Sequence, residues 1–125
     1  MIMKVKDIDK INFVIKKLLD ENKYALGTKL KFQLLTIMKQ LEPIVTNITT
    51  VRDEKIREYG TEDENGVMAI KQSDKEAVAK FQKDINELYE TDVDLTVQKL
   101  KAEDVFQYGI PAEYLVALYN IIEEE

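Results

Sequence analysis

The chain contains neither cysteine nor histidine. Without thiols there can be no disulfide staples, no thiolate metal sites and no cysteine nucleophile, a pattern that suits a reducing cytoplasm. Without imidazole the chain lacks the side chain that most often serves as a general base near neutral pH, and also the commonest zinc ligand. Hydrolytic triads and zinc sites are therefore excluded. Catalysis would have to draw on carboxylate, lysine, tyrosine or hydroxyl groups with magnesium at most, and a non-enzymatic protein that needs no cofactor is the expectation.

Other shortages narrow the field further. Arginine is confined to Arg52 and Arg57, and a net charge of −6 would repel a polyanion, so duplex DNA is not an expected partner. The glycines at 27, 60, 66 and 109 are far apart with no Gly-Lys-Ser/Thr among them, which removes the phosphate-cradling loop. No window approaches the roughly 20 apolar residues of a bilayer crossing. Met1 to Lys10 is charged rather than apolar, so neither a membrane span nor a signal peptide is expected.

What is present is a chain of 125 residues, 45 % hydrophobic and 34 % charged, which is the profile of one globular domain over 1–125. Charge is unevenly distributed along it. Residues 1–40 hold nine lysines against Asp7, Asp9, Asp20 and Glu21, a balance of +5, which leaves −11 for the remainder. That asymmetry hints at anion contact by the basic part, although a charge run is most often a solvated face.

Ile8, Ile11, Val14, Ile15, Leu18 and Leu19 recur at the spacing of one helical face, with Asp7 or Asp9 placed to cap its start. Gly27 suits a positive-φ turn and Thr28 a second N-cap. From Leu30 the apolar positions run Leu34, Ile37, Leu41, Ile44, Ile48 and Val51, a seam with a period of 3.5. A helix over 28–59 would measure about 48 Å at 1.5 Å per residue. Either it bends or breaks near Gln40 to Pro43, where the proline costs about 3 kcal/mol inside a straight helix, or it pairs with a partner. Leu34, Ile37, Leu41, Ile44 and Ile48 are accordingly the candidate oligomer interface, and a homo-oligomer is expected.

Beyond Gly60 the pattern changes. Asp63-Glu64-Asn65-Gly66 has turn chemistry, and Tyr59 to Asp74 reads as a hairpin-like excursion with a short β-forming piece at Val67 to Lys71. Asp63, Asn65 and Gly66 brush against a calcium-loop pattern, but Thr61 and Gln72 stand where its first and twelfth ligands belong. Ser73 and Glu76 form a capping box that opens a third helix with Ala77, Val78, Phe81, Ile85, Leu88 and Tyr89 on its buried face. Thr91 to Gln98 alternates like a strand covered on one side, and pairing with Val67 to Lys71 would make a small antiparallel ribbon. Ala102 to Tyr108 is a further short helix, stopped at Gly109. Pro111 sets up the last one, with Tyr114, Leu115, Leu118, Ile121 and Ile122 as its stripe. The fold class expected is mainly α (α+β): a helical bundle with one long helix that Pro43 could kink, and a small antiparallel β ribbon.

One constellation carries chemistry. Lys16, Lys17, Lys23, Tyr24, Lys29, Lys31 and Phe32 concentrate cations and rings around the turn between the first two helices, where lysines could neutralise phosphate and rings stack on a base. A small anionic nucleotide is the ligand this suggests. The plainer reading makes Tyr24 and Phe32 core residues overlain by lysine stems.

Tyr59-Gly60-Thr61-Glu62-Asp63-Glu64-Asn65-Gly66, Phe81-Gln82-Lys83-Asp84-Ile85-Asn86-Glu87-Leu88, Thr91-Asp92-Val93-Asp94 and the ending from Ile110-Pro111-Ala112-Glu113 to Ile122-Glu123-Glu124 resemble short uncharacterised proteins of tailed phages infecting Gram-positive bacteria. The resemblance implies a product made in the cytoplasm of the infected host and brings no site residues. Two roles follow from it: a counter-defence protein sequestering a nucleotide immune signal of the cyclic dinucleotide class or a host defence protein, or an accessory of virion and tail assembly.

Overall fold

The computed structural model describes residues 1–21 and 24–123. Helix α1 spans Val5–Glu21 and buries Val5, Ile8, Ile11, Val14, Ile15 and Leu18, the stripe that the three-and-four spacing predicts. Asp7 lies in its first turn, where a carboxylate complements the helix dipole, rather than at the cap. A short strand that the sequence did not announce, β1 (Ile2–Lys4), runs directly into α1.

Helix α2 occupies Thr28–Tyr59 without interruption, the one long helix expected, so of the bend or break considered near Pro43 the break is absent. Lys39 and Pro43 both face solvent, and the carbonyl deprived of its amide partner lies on the side where water can reach it. The helix is capped by Gly27 rather than Thr28, with φ −68°, so positive φ is not what glycine supplies there. The need is for space, because a Cβ on Gly27 would stand 2.5 Å from the Tyr108 hydroxyl. Among the described residues of this turn the left-handed one is Ala25, at φ 48°.

The seam on α2 is used internally. Leu30, Leu34, Ile37, Leu41 and Ile48 are all buried within the single chain, and Ile44 is half-buried against the same core. This corrects the interface assignment: Leu34, Ile37, Leu41 and Ile48 have no surface left to offer a second copy. Full burial of each such side chain contributes about 1.5–3 kcal/mol, which explains why the intramolecular solution wins.

After α2, β2 (Thr61–Glu62) and β3 (Met68–Ala69) pair antiparallel around the Asp63–Gly66 turn. The Asp63 carboxylate accepts from the amides of Asn65 at 2.8 Å and Val67 at 3.0 Å, and Gly66 supplies φ 78°. Because that local closure costs little loop entropy, the Val67 to Lys71 piece pairs with β2 and not with the later strand as expected. Strand β4 (Asp92–Asp94) instead pairs antiparallel with β1, in the register Ile2↔Asp94, Met3↔Val93, Lys4↔Asp92.

Between them lies α3 (Lys75–Tyr89), whose cap is Asp74, accepting from the Ala77 amide at 3.1 Å; the Ser73 capping box is thus displaced by one residue. Only Ile85 of its apolar stripe is buried. Past β4 the alternation persists in burial, with Leu95 and Val97 inside and Asp94 and Thr96 outside, although regular pairing has ended. The chain then forms β5 (Leu100–Lys101), α4 (Ala102–Phe106), α5 (Ala112–Leu118), a 3-10 turn (Tyr119–Ile121) and β6 (Ile122–Glu123). Gly109 stops α4 at φ 65°. The expected last helix thus ends at Leu118, and its final residues form a parallel pair with β5, Leu100↔Ile122.

The result is mostly helical, α+β, with small two-stranded sheets. Its core is Ile8, Ile11, Ile15 and Leu18 of α1 against Leu30, Leu34, Ile37 and Leu41 of α2, closed by Leu100, Val105, Leu118 and Ile121 from the C-terminal segment. Among the described residues no helix is long and apolar enough to cross a membrane.

Candidate functional site

The described residues of the basic constellation do not converge on one site. Lys29 and Lys31 flank the buried Leu30, and at 100° per residue their side chains leave α2 about 200° apart. Lys29 turns to α4, where its ammonium lies 2.9 Å from Asp104. Hydrogen bonding to Asp104 and that carboxylate's charge raise the Lys29 pKa above its ordinary value. Lys16 and Lys17 are exposed on α1, and the Lys17 ammonium sits 5.6 Å from the centre of the Phe13 ring one turn earlier. Tyr24 packs against the core, as the plainer reading held, whereas Phe32 is 69 % exposed and is not a core residue. Lys23 lies outside the described residues.

A second polar group joins α2 to α3. Tyr59 donates to Asp84 at 2.6 Å, Lys55 stands 3.3 Å from the same carboxylate, and Arg52 donates to the Tyr89 hydroxyl at 3.1 Å. The hydrogen bond to Asp84, reinforced by desolvation, pushes the Tyr59 phenol up to about 12, and the same bond holds the Asp84 carboxyl below its usual value. A phenol this hard to ionise is no general base near neutrality, and a carboxylate already accepting from two partners is a poor proton acceptor. The group is a tie between helices. Among the described residues no three acidic side chains come together as a set able to hold a metal ion.

The most developed surface lies at the other end, around α5. On one flank of this helix a groove of about 610 Å³ is lined by Ala102, Phe106, Leu115, Val116, Tyr119, Ile122 and Glu123. On the opposite flank a smaller depression of about 370 Å³ is lined by Phe13 of α1 together with Glu113, Tyr114 and Ala117 of α5, among others. Three large apolar side chains at the main groove remain uncovered, Val116 at 75 %, Tyr119 at 62 % and Phe106 at 57 % exposed, and Phe13 adds a fourth at 58 % beside the smaller one. Single exposed apolar residues need no explanation, but a contiguous set around a concavity marks an interaction surface.

Short elements build this face for local reasons. Pro111 fixes the chain before α5, and its carbonyl accepts from the amides of Tyr114 and Leu115 at 3.0 and 3.1 Å. Leu118 and Ile121 bury inward, which leaves Val116 and Tyr119 outside the satisfied stripe. That surplus is the signal the sequence held: once Leu118 and Ile121 account for the buried stripe, with Leu115 and Ile122 half-buried beside them, Val116 and Tyr119 are apolar surface beyond it. None of these residues belongs to the basic constellation. Compared with protein-family models, with curated proteins and with solved structures, the chain matches none, so no family is assigned to it.

Proposed function

We propose that this chain is a non-catalytic docking protein that acts by covering a surface of another protein, with α4, α5 and the 3-10 turn as its contact face. The observation that carries this reading is the set of Phe106, Val116 and Tyr119, all more than half exposed around one groove. Leaving that much apolar surface in water is unfavourable by about 25 cal/mol per Å², a penalty that association removes. In the setting implied by the phage resemblance the role is counter-defence, a host defence protein held and blocked; virion or tail assembly is the alternative.

Site-specific photo-cross-linking in the producing bacterium tests it. With benzoylphenylalanine in place of Val116, one discrete adduct is expected, and none with the same group in place of Lys80 on α3. A host defence protein in that adduct fits sequestration and a capsid or tail protein fits assembly. Absence of any adduct at position 116, or multiple turnover of a substrate by the pure protein, would refute the docking reading.

The anionic-ligand reading keeps one observation in its favour: the Phe32 ring is exposed one turn from Lys29 on the same side of α2. Retention of a cyclic dinucleotide by purified protein, lost in Phe32→Ala, would promote that reading over the first.

A further inference from the structure

Six asparagines occur in the chain, and one differs from the others in both neighbour and setting. Asn12, Asn47 and Asn86 lie within α1, α2 and α3 and Asn120 in the 3-10 turn, where helical geometry fixes the backbone, and each precedes a residue with a long side chain. Asn22 precedes Lys23. Asn65 is the one followed by glycine, and both residues are exposed at the tip of the hairpin formed by β2 and β3. A Cβ built on Gly66 would meet nothing within 4 Å, so the space on that side is open.

Asp63 closes this turn. Its carboxylate accepts from the amides of Asn65 and Val67, its carbonyl accepts from the Gly66 amide at 3.1 Å, and its own amide donates to the Val67 carbonyl at 2.9 Å. The bond that Asn65 gives to Asp63 runs through its backbone, which leaves the carboxamide in solvent. The Gly66 nitrogen is engaged by a single backbone bond at the surface, and bonds at exposed hairpin tips open readily.

We infer that Asn65 is a site of spontaneous deamidation whose pace Asp63 sets. When the turn opens, the Gly66 nitrogen loses its proton to solvent base and attacks the carboxamide carbon of Asn65. A new C–N bond closes a five-membered succinimide, the old carboxamide C–N bond breaks, and its nitrogen leaves as ammonia. Glycine permits this because no Cβ crowds the closing ring. One water then opens the imide at either carbonyl: cleavage on the side-chain carbonyl gives aspartate, and cleavage on the main-chain carbonyl gives isoaspartate. The balance is one water consumed and one ammonia released, with no change of oxidation state. The new carboxylate extends the run Glu62, Asp63, Glu64. Isoaspartate also adds a carbon to the backbone inside the turn, where the bonds between Asp63 and Val67 fix the hairpin.

The test incubates the whole protein at mildly alkaline pH over weeks and follows the tryptic peptide 58–71 by mass spectrometry with electron-transfer fragmentation. The expected result is conversion of Asn65 to both aspartate and isoaspartate, faster as pH rises, with Asn12, Asn47, Asn86 and Asn120 intact. Asp63→Ala accelerates it severalfold with unchanged circular dichroism. Asp63→Ser, whose hydroxyl can take the same amides more weakly, falls between. Asn65→Gln, which would need a six-membered ring, suppresses it. Amide exchange in the converted protein is faster at 67–69 and unchanged in α1.

Conversion appearing first at a helical asparagine, aspartate without isoaspartate, or an unconverted 58–71 peptide even in Asp63→Ala would overturn the assignment of Asn65. Equal rates in the wild type, Asp63→Ser and Asp63→Ala would overturn the control assigned to Asp63.

Discussion

The two halves of α2 sit in different kinds of structure. Up to Leu41 the helix is enclosed by α1 and the C-terminal segment, with Leu30, Leu34, Ile37 and Leu41 among side chains that water does not reach. Beyond Pro43 the same helix carries an arm of hairpin and α3 whose buried apolar residues are Ile48 and Ile85. The arm relies on polar ties instead: Tyr59 and Lys55 to Asp84, Arg52 to Tyr89 and, back toward the body, Arg52 to Asp9 at 3.7 Å. A body held by buried area should be insensitive to pH and intolerant of truncation, and an arm held by half-buried polar contacts should be the reverse.

The largest effect expected is from Leu41→Asp. A carboxylate at a site 1 % exposed has no partner within the core, and the loss should exceed about 4 kcal/mol, which unfolds a domain of ordinary stability. Circular dichroism of the purified variant reads the outcome; a folded, merely monomeric product would restore Leu41 to an intermolecular role.

A milder pair sharpens the contrast. Ile37→Ala removes a fully enclosed side chain and should cost about 3–4 kcal/mol, while Ile85→Ala, 8 % exposed and thinly surrounded, should cost about 1–2. Urea titration of both is the measurement, and equal midpoints would erase the distinction between the regions.

The smallest effect is confined to the arm and follows from its titrating tie. The Asp84 carboxyl titrates below its ordinary 3.8 because the Tyr59 hydroxyl donates to it, so its contribution is complete above that value and is lost as pH falls through the folded pKa. Tyr59 is pushed from 10.0 up to about 12, so its contribution is complete below 10.0 and is lost as pH rises toward 12. Amide exchange in α3, corrected for intrinsic rate, should therefore accelerate severalfold at both extremes with α1 unaffected. Tyr59→Phe should speed α3 exchange at neutral pH and remove the alkaline limb. Parallel changes in α1 would mean that arm and body open together.

How much could be read beforehand depended on how local the deciding physics was. The stripes of α1, α2 and α3 were legible because helical periodicity is written within a few turns, and the Asp63 to Gly66 turn because glycine and an acceptor side chain announce it. Strand pairing was not, since Met3 opposite Val93 is a choice among distant segments. The α2 seam misled because an apolar row is the same whether its cover comes from this chain or another. The basic constellation misled through adjacency: Lys29 and Lys31 are neighbours in sequence and point to different sides. The groove at α5 was written in the sequence only as surplus, Val116 and Tyr119 beyond what the stripe required.

The pairing of β1 with β4 has a consequence for how the protein is made. Ile2–Lys4 find their hydrogen-bond partners in Asp92–Asp94, and the Val5 amide finds its acceptor in Thr91, so everything up to β4 must emerge before β1 can dock. Closing so long a loop is entropically slow unless the intervening helices have already folded back and shortened the search. During synthesis α1 and the front of α2 can meet early, while the opening residues wait, and the latch that fixes the start of α1 is among the last contacts to form.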